Sequence, residues 1–261
     1  MSSNLKIPIF FLLAAISFVS CGKKDVRDYY FPLKQLQIQP KVYEYAFKTR
    51  DTSIRLYSYF QTIVQGDSIN FVGTDYDGDF RIVLMRREEK LQNGMKLKDL
   101  TFFGTNTEGL SVEKKASVQG GAVFPFEVKD SNSVFINIIK YSDPKDSTKE
   151  TTLTRNLRFL KTTTYDFKGQ KYDALEFEMK EEQALKDNEK GGWSHVYKVQ
   201  QIFAKGLGLV YTKRQVTDSE FVEMQLLDVY SMEELEKKFK EHQLSIKRDR
   251  KSTRLNSSHV D

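Results

Sequence analysis

The segment Asp75-Tyr76-Asp77-Gly78-Asp79 sets three carboxylates at alternate positions around a glycine, the opening pattern of a calcium loop. Such a loop closes on a glutamate at its twelfth position, where this chain has Arg86, so the spacing favours the competing reading of Asp77-Gly78 as a hairpin turn. Glu176 and Glu178 alternate with Leu175, Phe177 and Met179, which puts both acids on one strand face and the apolar side chains on the other. Paired carboxylates do acid–base work when their surroundings separate their pKa values, and two acids on a solvated face lack that separation. Ser194 directly precedes His195. Neighbours on a strand point to opposite faces, so these two cannot serve as nucleophile and base for one another. No Gly-x-Ser-x-Gly elbow or phosphate-cradling glycine loop accompanies them. An enzyme would need groups distant in sequence, such as Asp75, Asp77 and His195, to converge in a cleft. A single cysteine excludes an intramolecular disulfide framework and a multi-thiolate zinc site, and three histidines leave little for metal or triad chemistry. The expectation is no catalytic set, no metal site and no cofactor.

The one cysteine carries the most specific chemistry. Lys6 precedes an apolar run from Ile7 to Val19, interrupted only by Pro8 and Ser17, and the run reads as an export signal. It is shorter than the roughly 20 residues a bilayer-spanning helix needs. Cys21 follows at once, between small Ser20 and Gly22, and Phe18-Val19-Ser20-Cys21 resembles the bacterial lipobox, with Phe18 where leucine is usual. The resemblance implies cleavage between Ser20 and Cys21 after the thiol has received diacylglycerol. The amino group so released can take another acyl chain, and two or more chains hold a protein stably on a membrane. An ordinary cleaved signal that leaves a free thiol, or an uncleaved anchor, are the alternatives. Lys23-Lys24-Asp25 looks like the tethers of surface lipoproteins of the Bacteroidota, and reads otherwise as a solvated linker. No acid follows the cysteine directly, which in the familiar sorting rule implies the outer membrane.

These features divide the chain into a signal peptide over residues 1–20, a polar tether over 21–30 and a single domain over 31–248. Residues 249–261 resemble a translated sequencing-adapter string, which places the expected true C-terminus near residue 248. Of the net charge of +5, one unit lies in the first twenty residues and one in the last thirteen, leaving +3 on residues 21–248. So small a surplus argues against nucleic acid as a partner. The partners expected are a membrane, through the acyl chains, and a lipid or envelope protein.

The elements that must position any site are strands. From residue 40 to 230, Val, Ile, Thr, Tyr and Phe recur with period two in runs separated by turn signals such as Gln65-Gly66-Asp67, Asn93-Gly94 and Lys168-Gly169-Gln170. Short connections force sequential strands to pair. About thirteen strands in one sheet must curl to dispose of their edges. The fold class expected is mainly β: an antiparallel meander forming a curved half-barrel or barrel, with one C-terminal α-helix; two stacked sheets are the alternative. The pattern predicts strands over 79–86 and 171–180, and a mobile loop or short helical turn over 181–192. Ser231 and Glu234 form a capping box, and Met232, Leu235 and Phe239 share one face of the helix that follows.

The phrase Gln201-Ile202-Phe203-Ala204-Lys205-Gly206-Leu207-Gly208-Leu209-Val210 places two glycines between strands, where the backbone must bend or approach a neighbour closely. It resembles a pattern in exported bacterial lipoproteins, some with curved sheets similar to the lipoprotein carriers LolA and LolB. That resemblance implies the fold only. Trp193, Phe203, Leu207 and Leu209 are the candidates for lining an apolar ligand cavity, with plain core packing as the competing reading. Tyr57 and Tyr59 share a strand face and would suit either cross-strand packing or stacking on a glycan. The function expected is that of a non-enzymatic, outer-membrane-anchored lipoprotein that binds a hydrophobic ligand or an envelope partner. A structural subunit of an envelope assembly and a glycan-binding surface lipoprotein are the alternatives.

Overall fold

Period-two alternation becomes, in a computed structural model describing residues 23–106, 108–120, 123–129, 133–143, 146, 148–187 and 191–243, one large antiparallel sheet rolled into a nearly closed barrel. In chain order the elements are β1 (Lys24–Asp25), α1 (Leu33–Ile38), β2 (Lys41–Lys48), β3 (Ser53–Gln65), β4 (Ser68–Tyr76), β5 (Ile82–Lys90), β6 (Gly94–Thr105), β7 (Ser111–Lys115) and β8 (Ser117–Gly120). There follow β9 (Phe124–Pro125), β10 (Glu127–Val128), β11 (Val134–Ser142), β12 (Lys149–Phe167), β13 (Gln170–Asp187), β14 (Gly191–Ala204), β15 (Gly208–Gln215) and β16 (Phe221–Tyr230). A second helix, α2, covers residues 232–243. The strands lie in the order β7-β6-β5-β4-β3-β2-β16-β15-β14-β13-β12-β11-β8, so apart from the β2–β16 and β8–β11 pairings each joins its sequence neighbour, while β9 pairs with β6 off this path. Cys21 and Ser20, and the tail from residue 244, lie outside the described residues.

The two edges of the sheet are brought together by one stretch of chain. β7 pairs with β6, and after Ala116, whose N–H donates to the Leu100 carbonyl (2.8 Å), β8 pairs with β11 at the other edge. One segment thus pairs part of each edge in turn, which reduces the unpaired strand backbone that a wide sheet would otherwise expose.

Because the pairing is antiparallel throughout, the connections sort to two ends. One end gathers the turns after β3, β5, β12 and β14; the other gathers those after β2, β4, β6, β11, β13 and β15. The chain's first described stretch closes the former end. β1 pairs with β10, the Val26 N–H donates to the Phe126 carbonyl (2.9 Å), and the Gly206 N–H donates to the Asp28 carbonyl (2.8 Å). Val26, Tyr30, Phe31 and Leu36 are buried in the main core with Tyr43, Phe60, Phe71 and Phe177. The tether expected over residues 21–30 is therefore part of the fold from Lys24 onward. Its charged residues hide the signal, since burial is confined to Val26 and Tyr30.

Two further expectations are corrected. Residues 181–187, read as loop, continue β13, and β14 begins at Gly191. Cross-strand polar contacts replace the missing apolar ones there: Arg155 donates to Glu181 (2.6 Å) and the Ser194 hydroxyl to Glu182 (3.0 Å). β5 begins at Ile82, not at residue 79, because Asp77 Oδ1 accepts from the backbone N–H groups of Asp79 and Arg81 and Phe80 takes a positive φ of 62°. That turn is longer than the two-residue Asp-Gly hairpin.

α2 forms as its sequence predicts. The Ser231 N–H donates to Glu234 Oε2 (2.8 Å) and the Glu234 N–H to Ser231 Oγ (3.3 Å), the reciprocal bonds of a capping box. The helix lies on the outer face, where Met232 and Leu235 pack with Val42, Tyr57 and Tyr230, and Phe239 meets Phe80 at 5.2 Å. Lys238 Nζ reaches Glu44 (2.6 Å), which also accepts from the Tyr230 hydroxyl (2.9 Å). Tyr57 is buried here and stacks on Phe80 (4.9 Å, 12°), so it is no platform for a glycan.

Candidate functional site: an interior hollow

Closing one end leaves space at the other. Above the plug the barrel holds a partly open hollow of about 540 Å³, within the roughly 300–1,000 Å³ usual for small-molecule sites. Its floor is aromatic. Phe31 stacks on Phe71 (4.9 Å, 19°) and contacts Phe60 (4.7 Å), while Tyr30 and Phe203 both meet Phe124, at 5.2 and 4.9 Å. Gly208, at φ +85°, lets the chain pass beneath this plug: a Cβ there would stand 2.5 Å from the Phe31 ring. The walls are largely apolar, with Leu97, Leu100, Ile139 and Leu153 forming a buried cluster on the side where the sheet edges meet.

Two polar groups break this lining. Near the floor, the Tyr30 hydroxyl donates to Glu88 (2.6 Å), and Arg86 lies 3.2 Å from Asp75 and 3.9 Å from Glu88, with its guanidinium 5.0 Å from the centre of the Phe60 ring. Gly73 makes room for this stack, since a Cβ there would come within 2.9 Å of Phe60 and 3.1 Å of the Arg86 Nε. Burial raises the Glu88 carboxyl pKa, with Arg86 pulling the other way, and burial with Glu88's charge pushes the Tyr30 hydroxyl well up. Burial works against the charge of Arg86, but Asp75 and Glu88 outweigh it and raise its pKa. Tyr30 therefore stays a neutral donor and Arg86 a fixed cation, a set that holds the plug to the wall.

Toward the open end a second polar group crosses five strands, from β11 to β15. Asn137 pairs in register with Arg155, and Arg155 with Glu181. Glu181, 4% exposed, accepts from Arg155 Nε (2.6 Å) and lies 3.2 Å from Arg214, which also donates to Gln183 (2.9 Å) and sits 3.7 Å from the centre of the Tyr197 ring. The side chains of Asn137 (Oδ1), Thr212 (Oγ1) and Arg214 (Nε) each keep a buried polar atom without a protein partner, and all three residues line the hollow. Two guanidiniums face one carboxylate, so this belt carries a surplus positive charge.

Of the residues singled out from sequence, Phe203 and Leu209 line the hollow. Trp193 does not: it is 48% exposed near the end of the β13–β14 hairpin, on the same strand face as Tyr197 and Val199 but beyond the polar belt. Leu207 does not either; it borders a shallow cleft of about 320 Å³ beside α1, with Pro32, Leu36 and Ile38. Asp75 and Asp77 are taken up by different arginines, Arg86 and Arg81. Among the described residues no group of three or more His, Cys, Asp or Glu side chains could hold a metal. Glu176 and Glu178 share the outer face with cationic partners, Lys161 (3.3 Å) and Arg158 (2.5 Å).

Sequence reasoning missed the polar belt, yet a signal was present. In Phe135-x-Asn137-x-Ile139, Leu153-x-Arg155-x-Leu157 and Phe177-x-Met179-x-Glu181, a polar residue occupies the phase of the apolar series and so points inward.

Fold and site define a nearly closed antiparallel barrel, plugged at one end by its own N-terminal segment and hollow at the other. No known protein family matches the sequence, and no curated protein does. Among solved structures the chain is similar to a lipoprotein candidate from Parabacteroides distasonis, with a TM-score of 0.48 and 10% identity over 77% of this chain and 97% of that one. It is similar also to an exported-protein candidate with a YmcC-like fold from Bacteroides fragilis (TM-score 0.49, 9% identity, 77% of this chain and 99% of that one). A third likeness is to the hypothetical lipoprotein YmcC from Escherichia coli (TM-score 0.35, 10% identity, 78% and 90%).

Proposed function

We propose that this chain is a non-enzymatic lipoprotein of the bacterial envelope, anchored to the outer membrane by acylated Cys21, whose barrel receives a hydrophobic ligand. The observation that carries the reading is the hollow itself. Its mainly apolar walls lie above a floor of packed aromatic rings, at the end of the barrel away from the first described stretch. Covering apolar surface of this kind with a ligand stabilises the complex by roughly 25 cal/mol for each Å² withdrawn from water. The lipobox-like segment Phe18-Val19-Ser20-Cys21 supports the anchoring.

A neutral fluorescent probe, N-phenyl-1-naphthylamine, tests the binding. It should bind saturably with a blue-shifted emission, and Met179→Trp, which adds bulk to the wall, should weaken that binding while the protein keeps its far-ultraviolet circular dichroism. Absence of saturable binding to the folded wild-type protein would sink the ligand reading. Mass spectrometry of the mature N-terminus tests the anchor, with a thioether-linked diacylglyceryl group on Cys21 as the expected mass and an unmodified thiol as the contrary one.

An envelope partner is the second reading. Large apolar side chains stand exposed at the open end, Leu110 at 60% and Ile54 at 47% as well as Trp193, and such residues suit docking by another protein.

A further inference from the structure

We propose, resting on the reading of the hollow as a ligand site, that its ligand is an amphiphile with a singly charged anionic headgroup. The belt formed by Asn137, Arg155, Thr212 and Arg214 would hold that headgroup while the chain lies against the apolar wall below. The charge count supports the sign: Arg155 and Arg214 flank Glu181 alone, whereas near the floor Arg86 is met by both Asp75 and Glu88. Surplus positive charge is therefore at the open end and none is left at the floor, which orients an amphiphile head outward and tail inward.

The unpaired atoms support the chemistry. Asn137 is 5% exposed, lines the hollow and has a side-chain oxygen without a protein partner. Its amide can turn to present either oxygen or nitrogen. Arg214 Nε and Thr212 Oγ1 are likewise unpaired at the same surface, and both can donate to an oxyanion. Leaving buried donors unsatisfied costs stability, and hydrogen bonds to a charged acceptor are the stronger kind. Glu181 is already engaged by both arginines, so it fixes their positions and leaves room for one further negative charge. A dianion would exceed the surplus, and a cation would meet it with repulsion. Carboxylate and phosphodiester headgroups share this chemistry.

Calorimetric titration of the purified protein with four twelve-carbon probes, each below its micellar concentration, tests the proposal: dodecanoate, dodecyl methyl phosphate, methyl dodecanoate and dodecyltrimethylammonium. One or both anions should bind at least about tenfold more tightly than the ester, as expected for a charge-assisted contact, and the ammonium should bind most weakly. The tighter of the two anions identifies the headgroup source. Arg214→Gln should remove the anion's advantage over the ester. Thr212→Val, which breaks no ion pair, should weaken anion binding in the same sense and guards against a folding defect in the arginine variant. Equal binding of all four probes would overturn the headgroup proposal while leaving the apolar hollow in place. Binding of none would overturn both.

Discussion

At the scale of single residues, the barrel places charges inside itself and uses each to fix another. Glu88 shows how this works and how to measure it. Its carboxylate accepts from Tyr30 at 2.6 Å and faces Arg86, which Asp75 shares. Burial nonetheless lifts its pKa above the ordinary 4.5. In the window just above that value the folded protein holds the proton more firmly than the unfolded chain does. Folding is then favoured below the window and loses stability as the pH rises through it. Glutamine at this position does not titrate. Urea unfolding of the wild-type protein and Glu88→Gln across that range should show the difference between them moving in the variant's favour as the pH rises. A difference moving the other way would mean that the ion pair with Arg86, and not burial, governs this carboxyl. Such inward charges also mark where the sequence was hard to read. Arg86, Arg155 and Glu181 look like solvated residues one by one, because charge is the usual mark of an outer face. Only their phase with Leu84, Leu153 and Met179 gives them away, and which of them meet depends on register between strands that bring Glu181 to Arg155, 26 positions before it, and to Arg214, 33 positions after it.

At the scale of elements, legibility followed local physics. α2 could be read from its capping box and apolar stripe, since both are set within a few residues. Most strands could be read from alternation, and the Gly206-Leu207-Gly208 turn from its glycines, which indeed take φ of +76° and +85° at the two ends. The plug could not. It is short, its α1 covers only Leu33–Ile38, and its reason for folding lies in the rings of β2, β3 and β4 that Phe31 meets. Gly208 ties the two together, being both a turn residue and the floor under Phe31. Gly208→Ala should therefore act on the plug as well as on the turn. A left-handed backbone without glycine and a Cβ pressed against a ring together cost about 2–4 kcal/mol. The expected result is a lower urea midpoint with faster amide exchange at Phe31 and Leu36 than elsewhere in the core. Uniform acceleration throughout the barrel would show that plug and sheet unfold as one unit.

At the scale of the whole molecule, the position of the plug fixes which way the hollow faces. Lys24 pairs with Val128 at the closed end, and the Phe126 N–H donates there to the Asn93 carbonyl (3.0 Å). Only three residue steps separate Cys21 from Lys24, a reach of at most about 11 Å. An acyl anchor on Cys21 would hold the closed end, with its exposed Ile38, against the bilayer. The mouth would then point away from it, since the 13 residues of β3 span the barrel over about 40 Å along the strand. A ligand would enter from the aqueous side and not by lateral diffusion from the anchoring leaflet. This can be measured on the lipidated protein in vesicles that carry an energy-acceptor dye on their headgroups. A donor dye attached through Asp67→Cys, in the turn after β3, should transfer energy efficiently. The same donor at Ser219→Cys, in the turn after β15, should transfer little. Both turns are exposed, so labelling disturbs neither the plug nor the polar belt. Equal transfer from the two sites would mean that the barrel lies on its side, and stronger transfer from residue 219 would turn the mouth toward the membrane and make direct extraction of lipid the route of loading.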